Sequence, residues 1–238
     1  MKVDILAIAA HPDDIELCAA GTLIRHIDAG KTVGIVDLTQ GELGTRGNPT
    51  LRLKEGEEAA RRMGARFRIN LGMPDGFFDF SLENKRRIVE VIRAHQPEIV
   101  LTNTFDDRHP DHGRGSKLIS DACFLSGLVK FQTVKDGTPQ ERWRPKAVYH
   151  FIQDRYRKPD FVVDITPFIE RKMDVIMAFS SQFYNPDSPD LDSPISGKDF
   201  IDFLYARARE YGRPIGVEYA EGFNVERIAG VDSLFDLR

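Results

Sequence analysis

The stretch AHPDDIEL, residues 10–17, follows the apolar run VDILAIA and brings one histidine and two adjacent carboxylates to a single turn. A second stretch, TFDDRHPDHGRG at 104–115, follows another apolar run, EIVLTN. His11 and Asp14 stand three apart across a strand-to-helix corner, and His112 from the second stretch completes a His/Asp/His set. A mononuclear catalytic zinc takes three such protein ligands and keeps one position open for water. Asp13 stands beside the ion without having to bind it, and a carboxylate there can take the proton of the attacking water. His109, three residues before His112, is placed to stabilise an oxyanion as an imidazolium or to protonate a leaving group. Asp111 is placed to accept a hydrogen bond from an imidazole and fix its orientation. The expectation is one zinc ion per chain, although Fe2+, Mn2+ or Co2+ suit the same donors.

Other chemistries fit these residues less well. The first turn of a dinucleotide fold uses glycines so that backbone amides approach a pyrophosphate. Pro12-Asp13-Asp14 puts two carboxylates there instead, which repel phosphate. An Asp at a helix start can also be a simple cap. Capping explains one Asp but not two histidines in separate stretches. Asp106 and Asp107 could serve a two-metal phosphoesterase, but one ion is the favoured reading. His26 and His95 fall inside helical patterns as surface or boundary residues, and the role of His150, at a strand end, stays open.

These residues need a frame that places them together. Apolar strand patterns at 3–10, 32–38, 67–72 and 98–103 alternate with helical ones at 15–29, 51–63, 82–97 and 116–129. Alternation of this kind predicts an α/β fold, Rossmann-like, with a mostly parallel sheet and helices on both faces. In such sheets ligands bind outside the carboxyl ends of the strands, where both motifs fall. Residues 104–115 read as a charged loop. Further strands are predicted at 146–151 and 161–165, and helices at 166–180, capped by Thr166 with Pro167 in its first position, and at 198–212. The end, from Glu221 onward, has no clear period. No repeat or linker divides the chain, so residues 1–238 are expected to form one domain with a less regular C-terminal part. The Pro/Ser/Asp-rich segment 185–198 is either a lid or a passive loop.

The bulk numbers exclude some classes. With 33 Lys and Arg against 37 Asp and Glu, the formal net charge is −4, which gives no broad electrostatic case for nucleic acid. The apolar run at the start is short and soon followed by acidic residues, unlike a signal peptide. No run approaches the ~20 apolar residues of a membrane span. The two cysteines, Cys18 and Cys123, make no disulfide framework and no zinc-ribbon spacing. They read as reduced thiols, and a cytoplasmic location is expected.

AHPDD (10–14), GTL (21–23) and HPDH (109–112) resemble the PIG-L/LmbE-like family of zinc-dependent N-acetylglucosaminide deacetylases. The resemblance implies zinc ligation by His11, Asp14 and His112, with Asp13 as general base. It implies that His109 stabilises the transition state and that Asp111 orients it. GELGTRG, LGMPDGFFD, DRHPDHGRGSKLISDACFLSGL, FVVDI, SQFY and YAEGF carry a closer likeness to the bacillithiol-pathway branch, over nearly the whole chain. That branch removes acetate from N-acetylglucosaminyl-malate, a small N-acetyl sugar with two carboxylates. Arg52 and Arg108 are the substrate contacts it favours, with Arg46 and Arg144 as weaker candidates. The resemblance further implies a homo-oligomer, hexamers included. Some relatives supply a mobile Tyr to the oxyanion; Phe200 aligns there, with Tyr184 and Tyr205 nearby. The alternatives kept are another N-acetyl sugar or a thiol-conjugate amide as substrate, and a non-enzymatic nucleotide- or sugar-binding module.

Overall fold

The computed structural model describes residues 1–185 and 191–236. Strand β1 (Ile5–Ala9) is buried along its whole length. Ile5, Ala7 and Ala9 enter one hydrophobic cluster and Leu6, Ile8 and Ala10 another. Successive side chains of a strand point to opposite faces, so both faces of the sheet are covered. One cluster takes in α1 (Asp14–Asp28), α2 (Pro49–Met63) and α5 (Ile169–Ile176), and the other α3 (Leu82–His95) and α4 (Pro110–Ser126). The remaining helix, α6 (Lys198–Gly212), contributes Leu204 to the first cluster.

Strands β2 (Val33–Thr39), β3 (Phe67–Met73) and β4 (Ile99–Thr102) complete the parallel part. After a two-residue hairpin of β5 (Val134–Lys135) and β6 (Thr138–Pro139) come β7 (Ala147–Phe151), β8 (Phe161–Asp164) and β9 (Ala220–Val225). The seven-stranded sheet has the order β3-β2-β1-β4-β7-β9-β8. Pairs β1/β2, β2/β3, β1/β4 and β4/β7 are parallel, and β9 runs antiparallel to both β7 and β8. The expected α/β fold with a mostly parallel sheet is therefore present, and the C-terminal strands join the same sheet.

Three local readings are corrected. The HPDH motif is not loop. His109 caps α4 by accepting from the Asp111 backbone N–H at 3.2 Å, and Pro110 takes the first helical position, where its missing N–H costs nothing. The helix predicted over 166–180 is a 3-10 turn at Thr166–Phe168 followed by α5, and Thr166 does not cap it but donates its backbone N–H to Asp164 Oδ1. The tail without period contains β9, whose pattern is hidden by the buried Glu221. That carboxylate is taken up by Lys172 Nζ at 2.7 Å and by the backbone N–H groups of Gly21 and Thr22. Among the described residues no helix is long and apolar enough to cross a membrane. Cys18 and Cys123 are free and buried.

Candidate metal and active site

The chain runs from β1 outward through β2 and β3, then returns to β4 on the other side of β1. Loops leaving β1 and β4 diverge there, which opens a crevice at the carboxyl edge. The residues after β1 and the first turn of α4 face each other across it. They line a cavity of about 250 Å³ that contains His11, Asp13, Asp14, His109 and His112.

Asp13 adopts φ 111°, a backbone region that a non-glycine residue rarely enters. Such strain persists where the surroundings over-determine it. Here Arg52 does so: its Nη2 donates to Asp13 Oδ2 at 2.8 Å and to Pro12 O at 2.6 Å, while Nη1 donates to Gly41 O at 3.2 Å. Asp13 Oδ1 is left without a protein partner among the described residues. Burial pushes the Asp13 carboxyl up to about 7, against the opposing pull of Arg52. Gly41 makes this arrangement possible. It has φ +65°, and a Cβ there would lie 2.0 Å from Arg52 Nη1. Gly41→Ala is expected to displace Arg52 and lower kcat by on the order of 10²-fold, as small misplacements in a reacting constellation do. Steady-state kinetics check this, with unchanged metal content as the control.

The three expected ligands meet in the same place. His112 Nε2 is 3.1 Å from Asp14 Oδ1, and His11 Nδ1 is 3.6 Å from Asp14 Oδ2. Each imidazole is held from behind by a carboxylate, His11 Nε2 by Asp75 Oδ1 at 2.9 Å and His112 Nδ1 by Asp107 Oδ2 at 2.6 Å. A carboxylate behind a histidine fixes its tautomer and aims its other nitrogen, the arrangement found around metal-binding histidines. Among the described residues two donor groups have their atoms within 4.8 Å of one another, His11–His109–His112 and His11–Asp75–Asp111. Asp14 joins the two histidines pairwise rather than within either group. In the second group both carboxylates lie on His11 Nε2, which makes them supports of the ring.

The charge balance points the same way. Burial opposes a charge on His11, but Asp111, Asp14 and Asp75 raise it well above the usual imidazole range. Burial likewise opposes a charge on His112, yet Asp14 and Asp107 push it up to about 9. A buried carboxylate cage that forces protons onto two imidazoles is a cage that needs positive charge. A divalent cation supplies that charge and displaces those protons. The donor set and its surroundings thus fit a metal ion.

His109 closes a triangle with the two other rings, its centroid 4.6 Å from that of His11 and 5.2 Å from that of His112, which are themselves 5.5 Å apart. Burial and the two neighbouring imidazoles lower its pKa. With Nδ1 accepting from the Asp111 backbone, the neutral ring carries its proton on Nε2. The expected support of His109 by the Asp111 carboxylate is replaced by this backbone contact. That carboxylate instead accepts from Gly76 N at 2.7 Å and Arg114 Nη1 at 2.6 Å, because it lies one helical turn from Arg114.

The arginines divide. Arg46, Arg52 and Arg108 line the cavity. Arg52 is committed to Asp13, and Arg108 pairs with Asp154 at 2.9 Å. Arg46 is buried, its side chain donates among the described residues to Phe183 O at 3.4 Å, and its buried Nε has no partner there. Arg144 stands elsewhere, donating to Phe124 O and lying over the Phe124 ring. Ser193, Pro194, Ile195 and Phe200 border the cavity, so part of the segment 185–198, open between lid and passive loop, forms its wall; residues 186–190 lie outside the described ones. Tyr184 and Tyr205 are not in the lining.

Several residues were not singled out from sequence. Asp75 follows β3 in a Met-Pro-Asp-Gly turn, at a strand end like those of the two motifs. Asp107, a candidate ligand of a second metal by sequence, supports His112 instead. Asn103 and Gln153 at the ends of β4 and β7 are neutral and carried no signal. Arg207, which lines the cavity from α6 with a buried and unpartnered Nη1, sits in an ordinary amphipathic pattern. His95 is buried over Phe67 rather than at the surface, and His150 is fully buried between Ser116, Asn103 O and Glu226.

A family profile described as PIG-L, GlcNAc-PI de-N-acetylase, matches residues 6–123, which include both motifs. The crystal structure of a conserved protein from Thermus thermophilus is 34% identical, with a TM-score of 0.85 over 97% of this chain and 98% of that one. The diacetylchitobiose deacetylase of Thermococcus kodakarensis is 29% identical over 228 residues, 92% of this chain and 81% of the relative. A probable N-acetyl-alpha-D-glucosaminyl L-malate deacetylase 2 of Bacillus anthracis is 25% identical over 196 residues, 75% of this chain and 81% of the relative. The special nearness to the malate branch is thus not reproduced: identity to the chitobiose enzyme is higher and extends further. Motifs, site and likeness agree at the level above that distinction, and the chain belongs to the PIG-L family, as a deacetylase.

Proposed function

We propose that the enzyme is a zinc-dependent hydrolase that removes the acetyl group from N-acetyl-D-glucosaminyl-L-malate, giving glucosaminyl-malate and acetate, a step of bacillithiol biosynthesis. The observation that carries the hydrolytic part is the carboxylate of Asp13, held by Arg52 beside the His11, Asp14 and His112 donors with one oxygen free among the described residues. Zinc held by those three residues supplies Lewis acidity, which polarises the acetyl carbonyl and acidifies water. Asp13 Oδ1 accepts the proton of the attacking water as the new C–O bond forms. His109 Nε2–H donates to the developing oxyanion. The proton on Asp13 passes to the sugar nitrogen as the C–N bond breaks, so an amine and acetate leave.

The choice of an acidic sugar conjugate is supported by the cations of the cavity. Arg46 and Arg207 have no carboxylate partner among the described residues, although each has a buried guanidinium nitrogen without a hydrogen bond. Uncompensated buried charge is costly, and a substrate carboxylate relieves it. Arg108, paired at the half-exposed rim, can exchange Asp154 for the second carboxylate. A homo-oligomer in the cytoplasm belongs to the same proposal and is supported by resemblance alone.

Release of free amine from the malate conjugate, N-acetylglucosamine and diacetylchitobiose, measured side by side, tests the reading. The malate conjugate is expected to have the highest kcat/KM, by about 10²-fold, the worth of one or two charged hydrogen bonds. Chelation should abolish turnover, and His112→Ala should lose zinc and activity together. Preference for diacetylchitobiose would keep the deacetylase and replace its substrate.

A further inference from the structure

We propose that Gln153 is a positioning residue for the metal, acting on Asp14 together with Asn103. The proposal rests on the ligand set His11, Asp14 and His112. Asp14 is buried, and each of its two oxygens has one side-chain amide donor, while Oδ2 also accepts from the backbone N–H of His11 at 3.0 Å. Asn103 Nδ2 donates to Oδ2 at 3.0 Å, and Gln153 Nε2 donates to Oδ1 at 3.0 Å. The two amides are joined, since Asn103 Nδ2 also donates to Gln153 Oε1 at 2.9 Å. Asn103 is fixed in turn: its Oδ1 accepts from Ala10 N at 2.9 Å, and its backbone carbonyl accepts from His150 Nδ1 at 2.8 Å.

The geometry follows from the sheet. Asn103 and Gln153 leave the ends of the adjacent parallel strands β4 and β7, and Asp14 opens α1 just after β1, which lies on the other side of β4. Both side chains reach back along the carboxyl edge to one carboxylate. Amides suit the task because they donate without bringing charge. A Lys or Arg in that place would compete with the cation for Asp14, and an Asp or Glu would repel it. The pair thus holds the carboxylate's plane, with Oδ1 turned to His112 and Oδ2 to His11. Gln153 is the member that also faces the cavity, with Nε2 3.5 Å from His112 Nε2. A direct role in substrate binding is therefore the rival explanation.

Gln153→Leu separates the two. Zinc affinity by chelator competition and the visible absorption of the Co2+-substituted protein report the metal's surroundings without substrate. A positioning role predicts zinc affinity weaker by about 10- to 100-fold, the usual loss for residues that support metal ligands, with a shifted and altered Co2+ band. Unchanged zinc affinity and an unchanged Co2+ spectrum, with KM alone raised, would overturn it in favour of substrate contact. A lowered melting temperature of the metal-free protein with parental zinc affinity would overturn it in favour of a purely structural role. Gln153→Met, unbranched and of similar length, gives the same readings if the leucine variant fails to fold. Absence of zinc binding by the parent chain would remove the ligand set itself, an outcome distinct from the other two.

Discussion

Asp13→Asn is expected to lower kcat by about 10²–10⁴-fold, the range attributed to a positioned general base, while zinc stays bound. The substitution is nearly isosteric. Asn is among the few residues that tolerate positive φ, so the backbone at φ 111° is kept. Arg52 retains its contacts to Pro12 O and Gly41 O. What is lost is a basic oxygen facing the cavity. In the parent that oxygen belongs to a carboxyl whose affinity for a proton is raised by burial to about 7, which suits a group that must take a proton from water and later release it to an amine. Asp13→Ala is a poorer probe, because it removes the base and also places a residue without a side-chain hydrogen bond in a strained turn. Kinetics and metal content measured on the same preparation decide the matter. Loss of zinc in step with kcat would make Asp13 a ligand, and near-parental kcat would remove it as the base.

The sequence carried the donor residues of this site because their types are expensive anywhere else. Two histidines and two adjacent carboxylates after buried strands have no packing purpose, and the strand–helix alternation placed them on one edge. The supports were less visible for a physical reason. Asn103 and Gln153 act through neutral amides, and Asp75 and Asp107 differ from solvated loop aspartates only by which imidazole they meet in space. HPDH reads as loop because three polar residues and a proline follow one another in a charged stretch, although Pro110 is a favourable helix start and His109 caps it. Strand β9 was missed because Glu221 breaks the apolar run. Its charge is tolerated at 3% exposure only by the long-range partner Lys172 and by backbone groups of α1, which no local pattern announces.

Arg68→Met is expected to destabilise the fold by about 3–5 kcal/mol, the loss typical of removing one partner of a buried ionic network. Arg68 Nη1 meets Glu16 Oε1 at 2.6 Å, while Nε and Nη2 hold the two oxygens of Asp37 at 2.7 and 2.8 Å. Glu16 and Asp37 are both fully buried, so one guanidinium balances two carboxylates. Burial already raises the Glu16 pKa against the pull of Arg68. Without Arg68 both acids are stranded, and the Glu16 pKa, already raised by burial, rises further above its unfolded value. Stability lost by that route returns as pH falls and Glu16 takes up a proton, and it is lost again as pH rises. The deficit of the variant should therefore be larger at pH 8 than at pH 5, and Glu16→Gln in the same background should recover part of it. Since Glu16 lies two residues beyond Asp14 on α1, the network also ties the start of that helix to β2 and β3, and the variant should bind zinc less tightly. Urea unfolding of the metal-free protein at the two pH values measures the effect. A deficit under about 1 kcal/mol, or one independent of pH, would mean that water or a rearranged side chain satisfies the two carboxylates in place of the arginine.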